Sequence, residues 1–256
     1  MRLSVVLATY NEEENLARCL KSVKDLADEI VVVDGQSTDK TKEIAKSYGA
    51  RVIETTNKPM FHINKQMAID KANGDWVLQM DADEEVDSKL KKAIESLLKS
   101  ESGNDGFWIK RKNMFMGRWL RKGGQYPDKV IRLFRNGMAK LPQKDVHEQM
   151  VVKGSVGEIG GHLMHYNAPD FGRYLTNANR YTSLTAKKLK EDGVEINLVS
   201  GIDYLAIKPL VTFIKIYFRH KGFVDGFPGF AFALFSGLHH FLAYLKLWEL
   251  EKKNLD

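Results

Sequence analysis

Short apolar runs alternate with helix-period segments through the first half of this chain, and that alternation limits what it can fold into. Leu3–Ala8, Glu29–Val33, Arg51–Thr55 and Trp76–Met80 read as strands. Between them, Glu13–Lys24 sets Leu16, Leu20 and Val23 on one helical face. Thr38–Tyr48 is a helix that Thr38 is placed to cap, and Ile63–Ala72 is one closed by Asn73-Gly74. Ser88–Leu98 follows with Leu90, Ala93, Ile94 and Leu97 inward. Repetition of this kind predicts a parallel sheet with helices on both faces.

Composition narrows the class. At 256 residues, 43% hydrophobic and 28% charged, the chain can bury a sizeable core and is not of disordered type. A net charge of +6 calls for an anionic partner, whether nucleic acid, phospholipid or phosphorylated substrate. No helix-turn-helix, zinc or RNA-binding signature accompanies it, which disfavours nucleic acid. The single cysteine, Cys19, excludes an internal disulfide and suits a reducing compartment; its helical spacing from Leu16 and Leu20 marks a core thiol. Met1 leads directly into the first strand, so no secretory leader is expected.

Open α/β sheets bind ligands at the carboxyl ends of their strands. Here those ends read Thr9-Tyr10-Asn11-Glu12, Asp34-Gly35-Gln36-Ser37-Thr38-Asp39 and Asp81-Ala82-Asp83. Asn11 with Glu14 also fits a helix cap, and Asp39 fits a helix start better than a ligand contact. Asp34 ends a run of valines before a glycine turn, where a carboxylate could accept from a ribose hydroxyl or a base N–H. Asp81 and Asp83 are hardest to explain as packing. Deep carboxylates need counter-charge, and a divalent cation with a diphosphate supplies it.

Taken in order, Leu3–Glu12, Val31–Asp39 and Gly74–Glu84 resemble the family 2 glycosyltransferases. Phe61 with Asn64-Lys65-Gln66, Arg132-Leu133-Phe134, Val146-His147-Glu148 and Gly222–Gly226 extend the likeness along most of the chain. They point toward bacterial transferases related to the lipopolysaccharide inner-core β-1,4-glucosyltransferase. The resemblance implies a GT-A, Rossmann-like mixed sheet flanked by helices. It implies a transferase domain over 1–200, with 1–100 the nucleotide-sugar half and 101–200 the acceptor half, and an amphipathic helical tail over 201–256. It also implies inverting transfer of a hexose, glucose from UDP-glucose, onto a lipid-linked saccharide.

The same resemblance assigns roles. Ala8, Thr9, Tyr10 and Glu12 would line base and ribose, and Asp34 would bind one of them. Asp83, with Asp81 and Ala82 beside it, would hold Mg²⁺ or Mn²⁺ against the donor phosphates. Lys65 either meets the leaving diphosphate or is a solvated helix lysine. Inversion needs a base on the acceptor side, usually a carboxylate. Glu148 is the candidate, with His147 to orient it, contact phosphate or ligate metal, and Asp145 and Asp128 as rivals. His165 is a further candidate metal ligand, though a lone histidine is more often structural. Arg118, Arg121, Lys122 and Arg132 could bind a phosphorylated acceptor or form a solvated basic face. Trp119 and Tyr126 could stack on sugar or simply pack.

Beyond Gly201 the chain becomes rich in Phe, Leu and Ala. In Pro209–Arg219, α-helical spacing puts Thr212, Lys215 and Arg219 on one narrow stripe, the remainder being apolar. That pattern suits a bilayer interface. Gly226–Leu245 carries no formal charge apart from any protonation of His239 and His240, but Pro228, Gly229, Gly237 and the paired histidines disfavour a simple span. Peripheral docking on anionic lipid at the cytoplasmic face of the inner membrane is expected, with burial in a dimer as the rival. Competing functions are sugar transfer to a polyprenyl phosphate, which needs no base for an already ionised acceptor, and a non-catalytic nucleotide- or glycan-binding protein. Nucleotidyl transfer is disfavoured, because Tyr10-Asn11-Glu12 stands where a Gly-rich activation loop would follow the first strand.

Overall fold

Parallel pairing of the valine-rich runs organises the N-terminal half of the protein. The computed structural model describes residues 1–58, 60–100, 102–142 and 149–252. Its contacts divide the chain into two units, one of Met1–Arg111 with Asp128–His165, the other of Lys112–Pro127 with Tyr166 onwards.

In the first unit, β1 (Leu3–Thr9) lies between β2 (Glu29–Asp34) and β4 (Trp76–Met80), parallel to both, and β3 (Arg51–Glu54) extends the edge beyond β2. Both faces of these strands are covered, and side chains alternate between them at period two. Val5 and Leu7 enter a core with Leu16, Cys19, Leu20, Leu78 and Met80, while Val6, Val31 and Val33 enter another with Ala68, Ile69 and Val77. Each fully buried Leu or Val contributes about 1.5–3 kcal/mol, so this dry sheet interior holds the strand ends in place. Cys19 is wholly buried, as expected, and burial pushes its thiol well above the ordinary value.

The remaining strands make the sheet mixed. β8 (Asp128–Arg135) runs antiparallel to β4, and the order across the sheet is β3-β2-β1-β4-β8-β6-β11-β5, with β6 spanning Gly106–Phe115. The pattern did not reveal β5 (Glu84–Val86) or the full length of β11 (Val156–Ala168), which pair antiparallel. Three residues are too few to show a period, and β11 carries glycines and polar residues where alternation would be read. Two further short pairs complete the inventory: β7 (Arg118–Trp119) on β6, and β9 (Ala139–Lys140) with β10 (Val151–Val152).

The first two helices are shorter than their patterns suggest, the third begins and ends two residues earlier, and the fourth runs one residue longer. α1 spans Leu16–Val23 and α2 Thr41–Ser47; α3 is Phe61–Asp70 and α4 Ser88–Lys99. Asn11 does not cap α1. It sits at φ 53° and its side chain accepts from the Thr38 N–H at 2.9 Å, tying two strand-end loops together. Thr38 is not the cap of α2; Asp39 accepts the Thr41 N–H at 3.0 Å, the helix-start role expected of it.

The second unit is mainly helical. α5 (Phe171–Glu191) is followed by a continuous helix of four parts: α6 (Leu198–Ile202), a π turn (Asp203–Ile207), α7 (Lys208–Ile214) and a second π turn (Lys215–Arg219). A 3-10 turn (Gly222–Asp225) then leads into α8 (Gly226–Lys252), which packs against α5 and α7. Gly222–Lys252 is long and apolar enough to cross a membrane by length and composition. Within this unit its paired histidines have partners: Thr185 Oγ1 lies 3.0 Å from His239 Nε2, and Thr212 Oγ1 3.1 Å from His240 Nε2.

The Gly222–Gly226 motif has a structural cause. Asp225 is buried and accepts the backbone N–H groups of Arg121 and Lys122, each at 2.9 Å, with the Arg118 guanidinium at 3.4 Å. Arg118 and Arg121 thus serve partly to satisfy a buried carboxylate. Trp119 packs edge-on against Tyr166 at 5.0 Å.

Candidate functional site

The Asp81–Glu84 turn is built by its own ends. Glu84 N–H donates to the Asp81 carbonyl at 3.0 Å, and the Glu84 carboxylate accepts the Asp81 N–H at 3.0 Å. Glu84 is wholly buried and opens β5, whose pairing with β11 sets His165 opposite Glu84. That register brings His165 Nε2 within 3.4 Å of Asp83 Oδ2.

Cations converge on the same turn. Arg132 is a charged residue inside an apolar strand, and it points at Asp81 at 2.6 Å and Glu84 at 3.4 Å, with Gln79 accepting from its other amino group. Lys65 of α3 also pairs with Asp81. Behind them Arg111 joins Glu84 at 3.3 Å to Asp128 at 2.8 Å. The side chains of Asp81 and Asp83 stay about one-fifth exposed, so the acid pair meets solvent at the carboxyl end of β4.

Charge states follow from this packing. Burial alone would raise the Asp81 carboxyl, but the Arg132 guanidinium and the Lys65 ammonium hold it well below the usual range. Burial opposes ionisation of Asp83 as well, and His165 more than offsets it. For Lys65 burial dominates, and with Arg132 nearby it draws the ammonium below the ordinary lysine value despite Asp81. One donor is left over: Arg132 Nε is buried with no hydrogen-bond partner among the described residues.

The other expected residues are placed as follows. Ala8 is half-buried, Thr9 buried, and Tyr10 exposed at the end of β1. Glu12 accepts from Asn15 at 2.9 Å. Asp34 is wholly enclosed: it accepts the Ser37 N–H at 2.8 Å, the Ser37 hydroxyl at 2.5 Å and the Thr9 hydroxyl at 3.3 Å. In this structure it shapes the 35–38 loop rather than reaching outward. Ala82 is buried within the acidic turn. Lys65 is not a solvated helix lysine, since it is buried over Phe61 and on Asp81. Arg132 is not part of a solvated basic face, because it is buried and engaged with Asp81 and Glu84. Glu148, His147 and Asp145 lie outside the described residues.

Gln79, Glu84 and Arg111 belong to the site without having been singled out. Their signal was available: Gln79 and Arg132 interrupt apolar strands, where an uncompensated polar group is costly. Gln66 adds a connection, accepting the Leu141 N–H at 2.8 Å. α3 therefore both supplies Lys65 and anchors the backbone upstream of Glu148.

A metal at this site would have Asp83 and His165 as its protein ligands, because Asp81, the other expected ligand, is already paired with Lys65 and Arg132. An oxygen and an imidazole nitrogen 3.4 Å apart are close enough to share one ion. No group of three or more His, Cys, Asp or Glu suited to a metal occurs among the described residues. The donor set fits an ion that also needs substrate phosphates and water, as Mg²⁺ and similar hard cations commonly do.

Comparison with known proteins agrees with this geometry. Residues 4–156 match the model of the family described as Glycosyl transferase family 2. A glycosyltransferase of Rickettsia typhi is 32% identical over 99% of this chain and 89% of its own length. The lipopolysaccharide core biosynthesis glycosyltransferase LpsC of Rhizobium meliloti is 29% identical over 96% of this chain and 92% of its own. Among solved structures, residues 1–349 of S. aureus TarS, in complex with UDP, superpose with a TM-score of 0.51 at 18% identity, covering 87% of this chain and 74% of that one, which supports a GT-A-like fold. The family match spans more than half the sequence and includes β4 and β5, between which the acid pair sits: this chain belongs to glycosyl transferase family 2.

Proposed function

We propose that the protein catalyses inverting transfer of a hexose, glucose from UDP-glucose, onto a lipid-linked saccharide of the lipopolysaccharide-core type. It would work as a peripheral protein at the cytoplasmic face of the inner membrane. The carrying observation is the cluster of Asp81, Asp83, Lys65, Arg132 and His165 at one strand end. Two buried cations set against one carboxylate, with an unused Arg132 N–H beside them, suit a diphosphate arriving from solvent. Similarity to LpsC along nearly the whole chain supports the acceptor class.

The residues divide the work. Asp83 and His165 would hold Mg²⁺ or Mn²⁺, which when bound neutralises charge on a departing nucleoside diphosphate. Lys65 and Arg132 would bind the same phosphates directly, and Glu84 keeps the turn in shape for them. Glu148 would take the acceptor hydroxyl proton as the sugar is attacked from the face opposite the leaving group.

The test is UDP release from UDP-glucose with a lipid-linked core acceptor and Mn²⁺. Asp83→Asn is expected to lower turnover about 100-fold, in line with disturbed metal sites. Glu148→Gln is expected to lose turnover while keeping donor binding. Full activity of Glu148→Gln would point to an acceptor already ionised, such as a polyprenyl phosphate. Absence of metal-dependent UDP release with any donor would leave a binding protein.

A further inference from the structure

The helix from Leu198 to Arg219 in the second unit divides sharply between a packed side and an open one. On the packed side, Tyr204 stacks on Tyr244 at 5.3 Å, Thr212 meets His240, and the Pro209 carbonyl approaches Gly237 so closely that a Cβ there would stand 2.5 Å from it. On the open side, Leu198, Val199, Ile202, Leu210, Val211 and Ile214 are each at least 46% exposed.

Those exposed residues do not share a face in a straight α-helix. At about 100° per residue, Leu198 would lie nearly opposite Ile214, and Ile202 about 120° from it. A π turn advances only about 82° per residue, so five residues of it turn the helix back by about a quarter circle. The segment Asp203–Ile207 is such a turn, and Lys215–Arg219 is a second. With the first correction Leu210, Val211 and Ile214 return to the side of Leu198 and Ile202, and with the second the exposed Phe218 stays there. The second turn also swings Arg219 about 90° further from Thr212, so the single polar stripe expected from α spacing does not exist. Thr212 faces α8, while Lys215 and Arg219 are exposed at the border of the apolar side.

We propose that this phase-corrected face is an interfacial docking surface for an anionic lipid bilayer, with the helix lying in the membrane plane. Charge complementarity selects the occupant. From residue 204 to 224 the sequence contains Lys208, Lys215, Arg219 and Lys221 and no acid. The acid that precedes them, Asp203, is held by Lys208 at 2.8 Å. The same segment of a second copy, packed symmetrically on this one, would set cations against cations, whereas anionic headgroups supply counter-charge. The apolar residues would enter the acyl boundary while the longer cationic side chains reach the headgroups.

This deepens the peripheral placement proposed above, and it is read without catalysis, so either reading can fail alone. The full-length protein is sedimented with vesicles of phosphatidylglycerol and phosphatidylcholine, and with phosphatidylcholine alone. Preferential binding to the anionic vesicles is expected. Leu210→Asp with Val211→Asp should abolish it, and Lys215→Gln with Arg219→Gln should weaken it roughly 30-fold, the contribution of two basic residues near an anionic membrane. All four positions are exposed, so melting temperature should stay unchanged, and UDP release with a water-soluble acceptor fragment monitors the first unit. Equal binding to neutral vesicles, no vesicle binding, or a dimer in light scattering that the Leu210/Val211 variant dissolves would each overturn the proposal.

Discussion

Arg132 shows how one side chain can decide the state of a site. It touches Asp81, Glu84 and Gln79 from the middle of a buried strand, so its removal leaves carboxylates short of counter-charge in a poorly solvated place. Arg132→Met is expected to cost about 3 kcal/mol, the usual penalty for breaking a buried pair, measured as a fall in urea midpoint. A loss well under 1 kcal/mol would mean that Lys65 and Arg111 suffice alone. Glu29 offers a pH test. Burial would raise its carboxyl, but the Ser4 hydroxyl, the Asn73 N–H and Arg51 bring it down to about 2. A depressed carboxyl adds stability that is fully present above its unfolded value and is lost as pH falls toward the folded one. The stability gap between wild type and Glu29→Gln should therefore be widest near neutrality and shrink between about pH 4.5 and 2. Urea midpoints across that range measure it, and a gap independent of pH would refute the assignment.

Among the elements, the contact of β11 with α4 depends on the missing side chain of Gly161. Its φ is +96°, and a Cβ there would stand 2.1 Å from the Leu90 nitrogen at the start of α4. Backbone cannot give way as a flexible side chain can. Gly161→Ala should therefore destabilise by about 2–4 kcal/mol, through both the strained φ and the collision. Because β11 also carries His165, UDP release should fall in the same variant even below its melting temperature. A fully stable, fully active Gly161→Ala would show that the strand shifts freely. Leu210 and Val211 of the second unit illustrate the opposite tolerance, since more than half of each is exposed.

For the molecule as a whole, ligand binding is the informative observable, because a ligand that binds only the folded state raises its stability by mass action. UDP-hexose with Mn²⁺ at a hundredfold excess over its Kd should add about 2.7 kcal/mol, a rise of roughly 5–10 °C in melting temperature for a chain of this size. Chelation by EDTA should remove most of that rise, since Asp83 and His165 by themselves make too few ligands to retain a metal. A larger shift with GDP- or CMP-sugars would overturn the choice of donor.

Much of this was legible in the order of residues. The strand–helix alternation specified the parallel half of the sheet, because side-chain period and valine content are local properties that the backbone must obey. The acidic motif and its place at a strand end were equally visible, as was the burial of Cys19. The ownership of the charges was not. Whether Lys65 and Arg132 face water or Asp81, whether Asp34 points outward or closes a loop, and that His165 lies beside Asp83 all depend on strand register between distant segments. The apolar tail gives the same lesson at longer range: its composition showed an apolar segment, but two π turns within Leu198–Arg219 decide which side chains share a face. Sequence specifies what each segment must bury; tertiary packing decides against what, because the counter-charges and neighbours come from elsewhere in the chain.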